Sequence, residues 1–309
     1  METKVFDMII IGAGPAGLGT AIYAVRAGFD VLLLEKNPVA GGQIINTSEV
    51  DNYLGLPGIG GFELGDTFKD HAVKLGTTIV TDEVTQLQLE GDIKKVICTK
   101  NEYEAKTVVL AMGAHHATLG IPGESEFTGR GVSYCATCDG AFFRGKDVVV
   151  VGGGDVAVED AIYLSNMCSS VTLVHRRDSL RAAASLQKAL MEKENISVEW
   201  DSALTKIYGD GLVNRVLIKN LKDESESKRS FAGVFVAIGM VPETALVPEC
   251  VDKDAKGYII ASEDTVTSVP GVFAVGDIRT KSVRQVITAV ADGACAVYSA
   301  EEYLRQNPN

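Results

Sequence analysis

Val5-Phe6-Asp7-Met8-Ile9-Ile10-Ile11-Gly12-Ala13-Gly14-Pro15-Ala16-Gly17 reads as a short apolar strand that runs into a glycine-rich turn. An Ala-rich helical stretch follows to Ala27, and Val31-Leu32-Leu33-Leu34-Glu35 supplies a second strand ending in an acid. Continuous apolar runs of this length, bounded by turn residues, suit strands buried on both faces of a parallel sheet. The same order recurs downstream. Asp147-Val148-Val149-Val150-Val151 leads into Gly152-Gly153-Gly154-Asp155-Val156-Ala157, a helix to about Met167, and Val171-Thr172-Leu173-Val174-His175. His175 follows Gly152 at the same distance as Glu35 follows Gly12. The chain therefore carries an internal duplication of a strand-turn-helix-strand unit.

Each unit has a later echo. Val108-Val109-Leu110-Ala111-Met112-Gly113 closes the first, and Val234-Phe235-Val236-Ala237-Ile238-Gly239 closes the second. Gly271-Val272-Phe273-Ala274-Val275-Gly276-Asp277 then forms one more strand and a Gly-Asp turn without a Gly-rich motif of its own. The simplest architecture returns this C-terminal piece to the first domain. The expectation is an α/β protein of two Rossmann-like dinucleotide-binding domains, of three-layer ββα type, the second inserted into the first. The domains run from 1 to 116, from 117 to 244, and from 245 to 309. Gly120-Ile121-Pro122-Gly123 and Val241-Pro242-Glu243 mark the linkers.

The glycines have separable duties. In Gly12-x-Gly14-x-x-Gly17 the first permits the tight turn, the second lets the backbone approach a pyrophosphate, and the third allows close helix packing. Pro15 and Ala16 open the helix whose N-terminus meets the phosphates. Glu35 is placed to accept from a ribose 2′-hydroxyl, with Lys36 beside it. The second turn, Gly152-x-Gly154-x-x-Ala157 with Asp155 at the helix start, differs at the decisive place. His175, Arg176 and Arg177, then Arg181, stand where the first unit has its acid. Guanidinium forks grip a phosphate bidentately, whereas a carboxylate repels it, so this second dinucleotide is expected to be NADPH rather than NADH.

Cys135-Ala136-Thr137-Cys138-Asp139-Gly140 precedes the second glycine-rich strand. Such spacing lowers the pKa of one thiol and gives a compact dithiol/disulfide couple. A zinc site needs four ligands. The chain has no second C-x-x-C, and the adjacent His115 and His116 do not easily face one metal, so no metal is expected. Asp139 is a plausible proton donor or acceptor beside the thiols. Cys98, Cys168, Cys250 and Cys295 read as buried small hydrophobes.

The bulk composition excludes other classes. With 309 residues, 46% hydrophobic and 23% charged, the chain is an ordinary globular protein long enough for two domains. A net charge of -12 argues against nucleic acid and anionic membranes, both of which need a basic footprint. No apolar run approaches the ~18 residues of a membrane span, and no cleavable apolar leader follows Met1. A cytoplasmic protein is expected.

Assembled, these residues resemble the low-molecular-weight, bacterial-type thioredoxin reductases over essentially the whole chain. The specific parts are Gly12 to Gly17, Gly41-Gly42-Gln43, Cys135 to Gly140, His175 to Arg181, Gly276-Asp277 and Arg284-Gln285-Val286. The resemblance implies FAD in the first site, lined by Gly41, Gly42, Gln43, Asn52 and Gly113. Asp277 would hold the ribitol, with Arg284, Gln285 and Val286 near the flavin, and Gly239 would complete the NADPH site. It also implies a homodimer in which Cys138 faces the flavin and Cys135 attacks the disulfide of thioredoxin. Two departures are visible. Thr288-Ala289-Val290-Ala291-Asp292-Gly293 replaces the family's usual T-A-A-G, and Glu243 stands where Asn is common. Relatives that take electrons from ferredoxin or serve another disulfide protein are the nearest alternatives. A non-catalytic flavin or nucleotide sensor would bind the same cofactors without needing Cys135 and Cys138.

Overall fold

The computed structural model describes residues 4–47 and 49–308. The chain divides into two compact units, Met1–His115 with Val241–Asn309, and His116–Met240. Residues 241 to 244 thus go with the first unit. The first stretch contains β1 (Val5–Ile11), α1 (Pro15–Arg26), β2 (Val31–Glu35), α2 (Gly61–Lys74), β3 (Thr78–Thr81), β4 (Val84–Gln88), β5 (Lys94–Cys98), β6 (Glu102–Leu110) and β7 (Ala114–His116). The inserted stretch contains β8 (Val132–Ser133), α3 (Ala136–Asp139), β9 (Asp147–Gly152), α4 (Asp155–Ser165), β10 (Ser170–Val174), α5 (Ala184–Met191), β11 (Ile196–Glu199), β12 (Ser202–Asp210), β13 (Leu212–Asn220), β14 (Glu226–Arg229) and β15 (Gly233–Ala237). The chain returns through β16 (Met240–Pro242) to β17 (Val272–Ala274) and α6 (Val286–Gln306).

Both units are Rossmann-like, and the second is inserted into the first. In the first unit β3-β2-β1-β6 are parallel neighbours, and β17 joins β6 in parallel through Val108, Val109 and Leu110. The other half of β6 pairs antiparallel with β5, which carries β4. In the second unit β11-β10-β9-β15-β8 form the parallel sheet and β12-β13-β14 a separate antiparallel one. The mixed-charge stretch Asp223–Arg229 closes the β13-β14 hairpin.

The strand period of two sorts side chains into two cores per unit. Met8, Ile10 and Leu33 face the α1/α6 side, whereas Ile9, Ile11, Leu32 and Leu34 face the antiparallel layer. In β9, Val148 and Val150 pack under α4, and Val149 and Val151 pack against β12 and β13. Each fully buried Val or Ile contributes roughly 1.5–3 kcal/mol. Alternation of two apolar faces, rather than of apolar and polar, is why Met8 to Ile11, Val31 to Leu34 and Val148 to Val151 carry no polar residue.

Cys98 and Cys168 are buried as expected, and burial pushes the Cys98 thiol up to about 11. Cys250 is half-buried and Cys295 is exposed. The expectation of four buried thiols therefore fails for Cys295, which lies on the outer face of α6 while its neighbours Ala296 and Val297 face the core. Among the described residues no helix is long and apolar enough to cross a membrane.

Candidate active site

The first glycine-rich turn joins β1 to α1. Gly12 has φ +105°, and a Cβ there would lie 2.6 Å from the Ala111 carbonyl oxygen, so both conformation and space demand glycine. A Cβ on Gly17 would lie 1.9 Å from the Gly12 oxygen. Gly14 faces open space, with only Gly42 Cα near at 3.8 Å. It is the N-cap of α1 and offers no side-chain acceptor to that helix's first N–H groups. Those N–H groups stay directed at the open side, which is the arrangement an incoming phosphate uses.

Around this turn the fold gathers the other residues expected for the first site. Gly41 N–H donates to the Ala13 carbonyl at 2.8 Å, and Gln43 Nε2 donates to the Ala114 carbonyl beside Gly113. Asn52 Nδ2 donates to Gln285 Oε1 at 3.0 Å. Gln285 is also the N-cap of α6, in a reciprocal capping box with Thr288, so Val286 begins that helix. Gly276 seats against Ala16, to whose Cβ an added methyl would come within 2.8 Å. Glu35 Oε2 accepts from Ala13 N–H at 2.8 Å, tying the end of β2 to the turn, and Lys36 beside it is exposed.

Three buried polar atoms in this unit, Thr77 Oγ1, Asp277 Oδ1 and Arg284 Nε, have no hydrogen-bond partner among the described residues. Burial pushes the Asp277 carboxyl up, against the pull of Lys281 and Arg284. Orphaned buried polar atoms are costly in a finished core. Those of Asp277 and Arg284 fall among the residues expected for the first site.

The second turn repeats the first. A Cβ on Gly152 would lie 2.4 Å from the Ala237 oxygen, Gly154 faces open space, and Ala157 is fully buried where α4 meets β9. Gly239, just past β15, also has open space at its Cβ position. Arg176, Arg177 and Arg181 are exposed, and Arg181 N–H donates to the Gly153 carbonyl at 2.8 Å. Asp155 Oδ1 accepts from Ala183 N–H at 2.8 Å. His175 lies inward of the arginines and is only 4% exposed; its Nε2 meets the Ser179 carbonyl oxygen at 3.0 Å. A methyl on Gly153 would sit 2.2 Å from the His175 ring. The basic loop is thus pinned to the glycine-rich turn by His175, Arg181 N–H and Asp155. Gly153→Ala is expected to force that ring aside, costing the roughly 1–3 kcal/mol of stability typical of overpacking and so lowering Tm. It should raise the KM for the nicotinamide dinucleotide severalfold while leaving flavin content unchanged. A variant with parental KM and Tm would show that the contact does not matter.

Cys135 and Cys138 form a disulfide, with Cα atoms 5.3 Å apart across the single turn of α3. Cys135 is the N-cap, and its Sγ accepts the Cys138 N–H at 3.2 Å and lies 3.4 Å from Thr137 Oγ1. Asp139 Oδ2 accepts the Ser133 hydroxyl at 2.6 Å, and Ser133 Oγ in turn accepts Cys135 N–H at 3.1 Å. Burial pushes the Asp139 carboxyl up, partly offset by that hydroxyl. Tyr134, just before the pair, donates to Glu124 at 3.0 Å, fixing the approach to α3. Ser133 and Glu124 escaped the sequence reading because neither belongs to a spaced motif; only the fold brings them to the pair. On α4, burial, with Glu159 beside it, pushes the Asp160 carboxyl up to about 7.

The departure at Glu243 has a local partner. Its Oε1 meets His115 Nδ1 at 2.9 Å, and its N–H donates to the Gly113 carbonyl at 3.0 Å.

Residues 6–293 match the model of the pyridine nucleotide-disulphide oxidoreductases. The chain belongs to that family. It is 45% identical to a thioredoxin reductase of Treponema pallidum over 98% of both chains. The crystal structure of thioredoxin reductase from Streptococcus pyogenes superposes with a TM-score of 0.92, at 44% identity over 98% of this chain and 99% of that one. A ferredoxin-flavin thioredoxin reductase from Clostridium acetobutylicum is more distant, 30% identical with a TM-score of 0.54 over 99% of this chain and 100% of that one.

Proposed function

We propose that the chain is an NADPH-dependent thioredoxin reductase in which Cys135 and Cys138 carry the electrons to a thioredoxin disulfide. The observation that carries this reading is a redox disulfide, flanked by a hydroxyl-bonded acid, in a unit whose glycine-rich turn is followed by three exposed arginines. FAD fits the first unit: Gly14 leaves room for a pyrophosphate, and Asp277 and Arg284 hold unpartnered polar atoms for the rest. On this reading the first unit, residues 1–115 and 241–309, binds FAD through Gly12 to Gly17, Glu35, Gly41 to Gln43, Asn52, Asp277, Arg284 and Gln285. The second unit, residues 116–240, binds NADPH through Gly152, Gly154 and the guanidinium groups of Arg176, Arg177 and Arg181, with His175 and Asp155 positioning that loop. A flavin held by the first set of residues would supply two-electron redox chemistry between the nicotinamide dinucleotide and the Cys135–Cys138 disulfide.

The protein's own chemistry follows from the geometry around α3. Once the pair is reduced, the Cys135 sulfur carries the negative charge better, because Cys138 N–H and the Thr137 hydroxyl can donate to it. Cys135 attacks one sulfur of the substrate disulfide, forming a mixed disulfide and expelling the other sulfur as a thiolate. Cys138 then attacks Cys135 Sγ, which restores the Cys135–Cys138 bond and releases the second substrate thiol. Asp139, held by Ser133, moves the protons that the departing thiolates need. The resemblance supports a homodimer acting in the cytoplasm.

A relative using reduced ferredoxin instead of NADPH is the competing reading. The three arginines after β10 favour NADPH, since ferredoxin does not need a 2′-phosphate site. Anaerobic titration of the purified protein with NADPH, NADH and reduced ferredoxin, followed by flavin absorbance and then by addition of thioredoxin, tests the choice. Bleaching by NADPH and recovery on adding oxidised thioredoxin is expected; bleaching by ferredoxin alone would reverse the assignment of donor.

Asp139 gives a second test. A carboxyl raised by burial stabilises the fold only while protonated, so its contribution is full below the unfolded value of about 3.9 and is lost as pH rises through the folded value. Above the folded value the ionised group costs stability that a neutral amide would not. Asp139→Asn, whose carbonyl can still accept from Ser133, should raise Tm at pH 7, and the gain should shrink below about pH 4. Turnover should fall by up to about a hundredfold, the lower end of what a positioned acid supplies. A variant with lower Tm at pH 7 and full turnover would refute both roles.

A further inference from the structure

Asp292, which follows the Val290-Ala291 departure from the family's T-A-A-G, lands on the turn that carries Asp277. Gly293 sets the close crossing of α6 over α1, since a methyl there would lie 2.5 Å from Thr20 N. That crossing aims Asp292 at the Gly276 N–H. The carboxylate is 6% exposed and fully engaged. Its Oδ2 accepts from Gly276 N–H at 2.8 Å, Arg279 Nε at 2.9 Å and Lys281 Nζ at 2.9 Å, and its Oδ1 accepts from Arg279 Nη2 at 2.6 Å. Both cations are buried, with side chains only 8% and 7% exposed. Arg279 Nη1 reaches on to the Thr280 and Ala261 carbonyls, and Lys281 Nζ to the Thr288 carbonyl.

The arrangement does more than fill a core. Gly276 is held at φ +75° in the 3-10 turn Gly276–Ile278, and the next residue is Asp277 with its orphaned buried oxygen. Asp292 therefore grips the N–H of the residue immediately before Asp277. It also anchors Lys281, one of the two cations that act on the Asp277 carboxyl. Burial alone would push Asp292 up, but Arg279, Lys281 and Gly276 N–H together hold it below the usual carboxylate range, so it is a fixed anion. One carboxylate between two buried cations leaves the group with a single net positive charge beside Asp277.

We infer that Asp292 is a positioning residue of the flavin site, which clamps the Gly276-Asp277 turn and holds the Arg279 and Lys281 charges against it. The inference rests on the proposed FAD site in this unit. Its test compares Asp292→Asn and Lys281→Met with the parent, measuring FAD affinity on the flavin-free protein by fluorescence titration and the flavin midpoint potential on the holoprotein. Asp292→Asn removes an anion and frees two cations, so FAD affinity should fall tenfold or more and the potential should move positive. Lys281→Met removes a cation and leaves Arg279 paired, so the potential should move negative. A brace without electrostatic effect on the site would move both variants the same way or neither, and either result overturns the proposal. If Asp292→Asn does not fold, Lys281→Met decides alone: a negative shift supports the proposal and an unmoved potential overturns it. A parent protein that binds no FAD would instead sink the flavin site itself, whatever the variants do.

Discussion

Cys138→Ser is expected to abolish turnover while trapping thioredoxin on Cys135. Disulfide exchange proceeds by thiolate attack and stops at the mixed disulfide unless a second thiol resolves it. In the variant the Cys138 N–H remains, so the donor that stabilises the Cys135 sulfur at 3.2 Å is untouched, as is Thr137 at 3.4 Å. The attacking group is intact and the resolving group is gone. Loss of turnover should reach roughly 10³-fold or more, as when one member of a group that acts as a unit is removed. A band at the summed mass of the two proteins should appear on a non-reducing gel and vanish with dithiothreitol. Cys135→Ser should trap far less, because among the described residues no comparable donors to Cys138 Sγ are seen. Equal trapping by both variants would show that the two sulfurs are interchangeable and that the hydrogen bonds to Cys135 do not select the nucleophile.

The duplication was legible because the physical demands on a dinucleotide turn are local. Gly12, Gly17 and Gly152 are required by atoms within a few residues in space, namely the Ala111, Gly12 and Ala237 carbonyls, and those atoms belong to the strands the apolar runs announce. The return of the C-terminal segment to the first unit was legible for a similar reason. Val272 to Ala274 has the composition of a buried strand and does pair with the far half of β6. What the sequence could not show was division of labour among polar residues. His175 sits at the position of Glu35 in the repeat, yet it is a buried pin whereas Glu35 is a partly exposed acceptor. The difference comes from Gly153, whose missing side chain makes room for the imidazole. Nor could spacing reveal Ser133 behind Asp139 or Asp292 behind Gly276, since these partners meet only through tertiary packing. Cys295 was misjudged because an apolar neighbourhood in sequence does not say which face of a helix a residue takes.

The choice between nicotinamide dinucleotides should hinge on Arg176 and Arg177. Both are exposed beyond β10, on a loop fixed to the glycine-rich turn through Arg181 N–H, His175 and Ala183 N–H. A fixed loop means that little ordering is needed on binding, so a phosphate contact keeps most of its value. Hydrogen bonds to charged groups are worth roughly 1.5–3 kcal/mol each, about tenfold or more per arginine. Arg176→Ala with Arg177→Ala should therefore raise the KM for NADPH on the order of a hundredfold or more, while leaving the KM for NADH, which lacks the 2′-phosphate, near its parental value. Salt supplies an independent reading. Exposed charges are screened over about 10 Å at 0.1 M ionic strength, so added salt should raise the parental KM for NADPH and act much less on the double variant or on NADH. Flavin content and the rate of thioredoxin reduction by the pre-reduced protein should be unchanged, because neither arginine belongs to the first unit or to the α3 turn. A parent that uses NADH as well as NADPH, or a double variant that loses both equally, would show that these guanidinium groups do not read the 2′-phosphate.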